Sequence, residues 1–109
     1  MKQLTKTEQF EKVLKDNPLV LAYFSGNNCN VCKSLKPKIE MLVEQQFPSV
    51  KFFEINTEEN PLLSSRFSVF TVPVVMFFAE GKDYIREARN ISTTDLANKM
   101  DKIVKLYED

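Results

Sequence analysis

Two cysteines three positions apart, Cys29 and Cys32, stand between an apolar run and a long amphipathic stretch. This junction constrains the chain more than any other feature. Residues 19–24, Leu-Val-Leu-Ala-Tyr-Phe, have the length and composition of a strand buried on both faces, and Gly26 bounds the run. Beyond Cys32, the residues Leu35, Ile39, Leu42, Val43 and Phe47 recur at spacings of three, four and seven, the apolar stripe of a helix. Pro37 falls inside that helix and is expected to kink it.

The rest of the chain extends the same alternation. Thr5-Lys6-Thr7-Glu8 reads as a capping box for a first helix carrying Phe10, Val13 and Leu14, stopped by Asn17-Pro18, with a short strand at residues 2–4 before it. A second strand is expected over residues 50–56. Asn60 then serves as an N-cap with Pro61 at the first helical position, opening a short helix to about Phe67. A third strand spans residues 73–78, and Glu80-Gly81 turns the chain into a fourth over residues 83–88. Ser92-Thr93-Thr94-Asp95 caps a last helix whose inner face is Leu96, Met100, Ile103 and Tyr107. The order α-β-α-β-α-β-β-α predicts an α/β fold with a mixed central β-sheet flanked by helices on both faces. The strands of the alternating part are expected to be parallel, through right-handed crossovers, and the last two to form an antiparallel hairpin. A length of 109 residues fits a single domain over 1–109.

Composition removes several classes of function. Fifteen basic residues balance fifteen acidic ones, so no net field favours nucleic acid or an anionic membrane as partner. The chain has no His, which excludes Ser-His-Asp triads, Cys–His nucleophile pairs and His-containing zinc sites. With Gly26 and Gly81 its only glycines, it has no glycine-rich phosphate loop. No apolar stretch approaches a membrane span, and the N-terminal residues lack the apolar segment of a secretory signal. The chain is therefore expected to be cytoplasmic.

Cys29-Asn30-Val31-Cys32 is the reactive constellation of the sequence. At the first turn of a helix, the partial positive charge and free N–H groups favour a thiolate at Cys29. The spacing lets Cys32 close a disulfide within one helical turn, from a more interior position shielded from outside thiols. An accessible thiolate with a resolving thiol beside it is what thiol–disulfide exchange requires. Three plainer readings compete: inert core cysteines, half of a zinc site completed by a second chain, and a structural disulfide. The last gains little, because the stabilisation by a disulfide grows with the loop it closes. A CxxC between a strand and a helix favours the redox reading.

Over nearly its whole length the chain resembles the thioredoxin family. The resemblance rests on residues 19–24, on Cys29 and Cys32 with Lys33 directly after, and on Pro37 five residues beyond. It continues through Asn60-Pro61, Val72-Pro73 at the place of the family's cis-proline loop, and Gly81 at the turn of the last hairpin. The departures are specific. Asn28 stands where the family usually has Trp, and Asn30-Val31 replace Gly-Pro. Tyr23 replaces the buried Asp of the first long strand, and Glu54 its usual Lys neighbour. Arg89 takes the place of a glycine near the active site.

The resemblance implies a thiol–disulfide oxidoreductase in which Cys29 attacks a substrate disulfide and Cys32 resolves the mixed disulfide, with reduction as the direction in a cytosol that keeps thiols reduced. No cofactor or metal is expected. The partners are protein or small-molecule disulfides and a separate reductase or thiol donor, with no nucleic acid or membrane, and the chain is expected to be a monomer. A cis Pro73 places the backbone of Val72 against an extended substrate segment, with Val31, Phe70, Thr71 and Val72 as the contact surface. Arg89 has two readings: a place on the rim of the site, where its charge favours the thiolate, or a solvated surface position after the strand. Glu54 is the candidate proton acceptor for Cys32, since Tyr23, with an ordinary pKa near ~10, is a poor base. The competing reading has Glu54 in solvent and water as the acceptor. For the whole chain, the alternative to an enzyme is a docking module or a redox sensor on the same fold.

Overall fold

A computed structural model of the chain describes residues 2–3 and 7–108. The elements in order are β1 (Lys2–Gln3), α1 (Thr7–Asp16), β2 (Leu19–Ser25), α2 (Asn30–Gln46), β3 (Lys51–Asn56), α3 (Pro61–Arg66), β4 (Val74–Ala79), β5 (Lys82–Ala88) and α4 (Thr93–Glu108). The expected α/β fold, with a mixed sheet between two helical layers, is the one observed. The capping box at residues 5–8 and the expected strand residue Leu4 rest on parts of the chain outside those described.

The sheet runs β1-β3-β2-β4-β5 among the described residues. All seven residues of β2 are buried, as its apolar run requires when neighbours lie on both edges and helices on both faces. Alternation along the strand divides the core in two. Leu19, Leu21 and Tyr23 face Cys32, Leu35 and Ile39 of α2 and Leu96 and Met100 of α4. Val20, Ala22 and Phe24 face Phe10 of α1 and Leu63 of α3. Phe10, Phe67 and Phe78 meet edge to face on that second side, with centroids 5.3–5.6 Å apart.

Three expectations change. The first concerns strand direction: β3 is parallel to β2, but β4 is antiparallel to it. Strand direction leaves no trace in hydrophobic periodicity; between β3 and β4 the chain forms the short α3 and the loop that carries Pro73, and it re-enters the sheet at the end it left. The last two strands do form the antiparallel hairpin. The second concerns Asn60, which precedes α3 but does not cap it with its side chain. Its amide donates instead to the Asn56 carbonyl, 3.0 Å away, and closes the preceding turn. The third concerns α4, where Leu96, Met100 and Val104 form the buried stripe while Ile103 is half-buried and Tyr107 is exposed. A 3.6-residue period carries the stripe from 100 to 104, and the last turn has passed the core. The helix start is as read, with Ser92 Oγ accepting from the Asp95 N–H at 3.2 Å.

Candidate active site

β2 delivers the chain to the cysteines through a short loop tied down from β3. The Asn27 N–H donates to Glu58 at 2.8 Å, and the Asn56 amide donates to Asn27 Oδ1 at 2.9 Å. Asn28 takes a left-handed conformation, φ 56°, which Asn tolerates better than most residues. Cys29 follows in extended backbone as the N-cap of α2, and its Sγ accepts from the Cys32 N–H at 3.2 Å. The pair forms a disulfide with the two Cα atoms 5.3 Å apart. Cys29 is half-buried, whereas Cys32 is only 3% exposed. Cys29 is thus the more exposed residue of the pair.

Behind the disulfide lies a buried polar network. The Tyr23 hydroxyl donates to the Cys32 carbonyl at 2.6 Å. Burial, and then the Glu54 carboxylate, push the Tyr23 phenol far above its usual pKa, so it remains a donor across the physiological range. Glu54 sits beside Tyr23 in the parallel register of β2 and β3 and is 7% exposed. Its two carboxylate oxygens accept from Ser25 Oγ and Lys36 Nζ, each at 2.9 Å. Glu54 is therefore held inside, not in solvent. Among the described residues no buried side-chain polar atom lacks a partner.

In front of the disulfide runs the segment before β4. The Val72–Pro73 bond is cis, as the resemblance implied. Pro73 is buried, Val72 is half-buried against the same core cluster as Cys29, and Phe70 and Thr71 are exposed. Gly26 makes this approach close: a Cβ there would lie 3.3 Å from Val72 Cγ2. Arg89 closes the site from the end of β5, its N–H donating to the Pro73 carbonyl at 3.4 Å. Its φ of 65° is a glycine-like conformation held by an arginine. Val31 and Arg89 line the same groove, which places Arg89 on the rim.

The structure thus brings Cys29, Cys32 and Val72 to one core cluster and Val31 and Arg89 to one groove, with Arg89 tied to Pro73 through the backbone, Phe70 and Thr71 exposed before Pro73, and Glu54 in the network beside Tyr23. Sequence reasoning missed Lys36 and Ser25, the two partners of Glu54. Lys36 was detectable as a cation one helical turn after Cys32, on the same helix face; its partner on another strand was not. Among the described residues there is no cluster of three or more metal-ligating side chains.

A disulfide at a strand-to-helix junction, beside a cis-proline loop, defines the class of small thiol–disulfide oxidoreductases built on a single mixed sheet. The thioredoxin family model matches residues 1–102, and the chain belongs to the thioredoxin family. It is 33% identical over 111 residues to the thioredoxin-like protein YdfQ of Bacillus subtilis, covering 99% of this chain and 98% of that protein. It is 29% identical to thioredoxin 1 of Synechococcus elongatus, covering 84% of this chain and 86% of the relative. Among solved structures, a mutant thioredoxin from Halobacterium salinarum superposes with a TM-score of 0.84 at 27% identity, covering 93% of this chain and 88% of that one. The chain is a thiol–disulfide oxidoreductase of this family.

Proposed function

We propose that the protein is a protein-disulfide reductase. The observation that carries the reading is the asymmetry of the pair: Cys29 is half-buried at a helix N-terminus, where its sulfur accepts a backbone N–H, and Cys32 is buried behind it.

In the reduced enzyme the Cys29 thiolate attacks one sulfur of a substrate disulfide. The S–S bond breaks, a mixed disulfide forms, and one substrate thiolate leaves. Cys32 then gives its proton to Glu54 and attacks Cys29 Sγ. This releases the second substrate thiolate and closes the Cys29–Cys32 bond. Two electrons have passed to the substrate, and a separate reductase or thiol donor restores the dithiol. Val31, Phe70 and the backbone of Val72 receive the substrate segment around its cystine. Lys36 and Ser25 hold the Glu54 carboxylate in place. The proposed setting is the cytoplasm; no helix among the described residues is long and apolar enough to cross a membrane.

Reduction of a protein disulfide such as insulin's, with dithiothreitol as the terminal donor, tests the reading. Multiple turnover that is lost in Cys29→Ser is expected. Binding to disulfide-containing proteins without turnover would replace the reductase with a docking module.

A further inference from the structure

A groove of about 400 Å³ opens beside the disulfide, between α2 and the loop that joins β5 to α4. Val31 and Lys38 contribute to its α2 wall, Arg89 and Ile91 to the other. No acidic side chain lines it. Like several other cations of the chain, Lys38 and Arg89 make no ion pair among the described residues; what sets them apart is that both line one groove that has no acidic side chain in its wall. Arg89 is also rooted in place: its backbone N–H donates to the Pro73 carbonyl, and its left-handed backbone favours glycine over arginine. A long cationic side chain therefore stands at a position where the backbone alone would select no side chain.

We propose that this groove is a subsite for a carboxylate side chain, an Asp or Glu flanking the cystine of a polypeptide substrate, with Arg89 and Lys38 as its specificity determinants. The inference rests on the reductase reading above. Charge complementarity selects the carboxylate. The polypeptide is selected by exposed apolar side chains: Val31, which lines the groove, is 58% exposed, and Phe70, three residues before Pro73, is 78% exposed; both suit neighbouring side chains of a peptide. Rim charges of this kind act mainly on encounter and partner choice, and salt screens them.

The test uses two disulfide-bridged peptides of one sequence, with the cystine flanked by Asp and Glu in the first and by Asn and Gln in the second. The readout is the ratio of their kcat/KM values in each enzyme, so that a general loss of activity cancels. The wild type should prefer the acidic peptide on the order of fivefold at low ionic strength, and the preference should shrink as salt rises. The ratio should approach one in the double variant Arg89→Gly, Lys38→Gln, whose glycine suits the left-handed backbone at least as well as arginine does. Arg89→Glu should shift the preference toward a Lys-flanked peptide. A ratio near one in the wild type, or a ratio unchanged in the double variant, overturns the subsite. An Arg89-dependent preference for a small dicarboxylate disulfide, with none between the peptides, overturns the polypeptide assignment. Failure of the reductase reading looks different: no exchange with either peptide or with the neutral probe 2,2′-dithiodipyridine, which would remove both proposals.

Discussion

The Tyr23 hydroxyl, on the central strand, donates to the carbonyl oxygen of Cys32 at 2.6 Å and so ties the resolving cysteine's turn of α2 to the sheet. The family's acidic residue at this strand position is replaced by a phenol that stays protonated and donates, and the acid stands one strand over, at Glu54. The backbone of Cys32 is thus held from β2, and the buried Glu54 carboxylate stands beside Tyr23 on the neighbouring strand β3.

Tyr23→Phe is expected to lower stability by about 1–2 kcal/mol near neutral pH, because a buried hydrogen bond is lost without a replacement partner. The pH dependence follows from the raised phenol pKa. Stability tied to the neutral phenol is fully present below the unfolded-state value near 10 and is lost as pH rises above it toward the folded-state value. The gap between wild type and Tyr23→Phe should therefore narrow above about pH 10. Urea unfolding from pH 7 to 11 measures it; parallel stability curves would contradict the assignment.

In the reduced protein, Cys29 should be alkylated by iodoacetamide well before Cys32, since it is the accessible thiol at the helix start. Cys32→Ser should accumulate a mixed disulfide with substrate, and Cys29→Ser should not. Faster labelling of Cys32, read by peptide mass spectrometry, would reverse the roles.

Glu54→Gln keeps the shape of the carboxylate but removes its capacity to take a proton. The first attack by Cys29 is expected to proceed at its wild-type rate, while resolution of a preformed mixed disulfide slows by about tenfold or more, in the range typical for loss of a general base. Glu54→Asp should recover part of that rate. Stopped-flow resolution rates across pH 6–9 decide the matter, and identical profiles for wild type and Glu54→Gln would remove Glu54 from the mechanism.

Gly26→Ala places a methyl group 3.3 Å from Val72 Cγ2, so the segment before Pro73 must yield by a few tenths of an ångström. Stability should fall by about 1 kcal/mol, as small overpacking at a half-buried site does. KM for a protein disulfide should rise more than the rate with a small probe disulfide falls. Equal effects on both substrates would show that Val72 does not meet the substrate.

What the sequence revealed follows the physics of each signal. The apolar run at residues 19–24 and the helical stripe from Leu35 to Val43 were legible because burial leaves a local periodic trace. The two cysteines and Pro73 were legible because their spacing and neighbours have few other uses. The direction of β4 was not, since residues 57–73 are long enough to return the chain either way and an apolar run reads the same in both directions. The Asn60 side chain had two partners within reach, and its own sequence position does not say which it takes. For Glu54 the sequence slightly favours solvent over the interior. Its burial depends on Lys36 and Ser25, which lie 18 and 29 positions away, and such pairings become visible only once the strands are aligned.

The segregation of the core onto two faces of β2 has a consequence for how this protein can vary. The disulfide, Tyr23 and the cation-lined groove all belong to the side covered by α2 and α4. The aromatic triad of Phe10, Phe67 and Phe78 lies across the sheet. Substitutions that repack the triad can raise or lower the unfolding temperature while the redox pair keeps its surroundings. Thermal tolerance and thiol chemistry can therefore change independently within one small sheet.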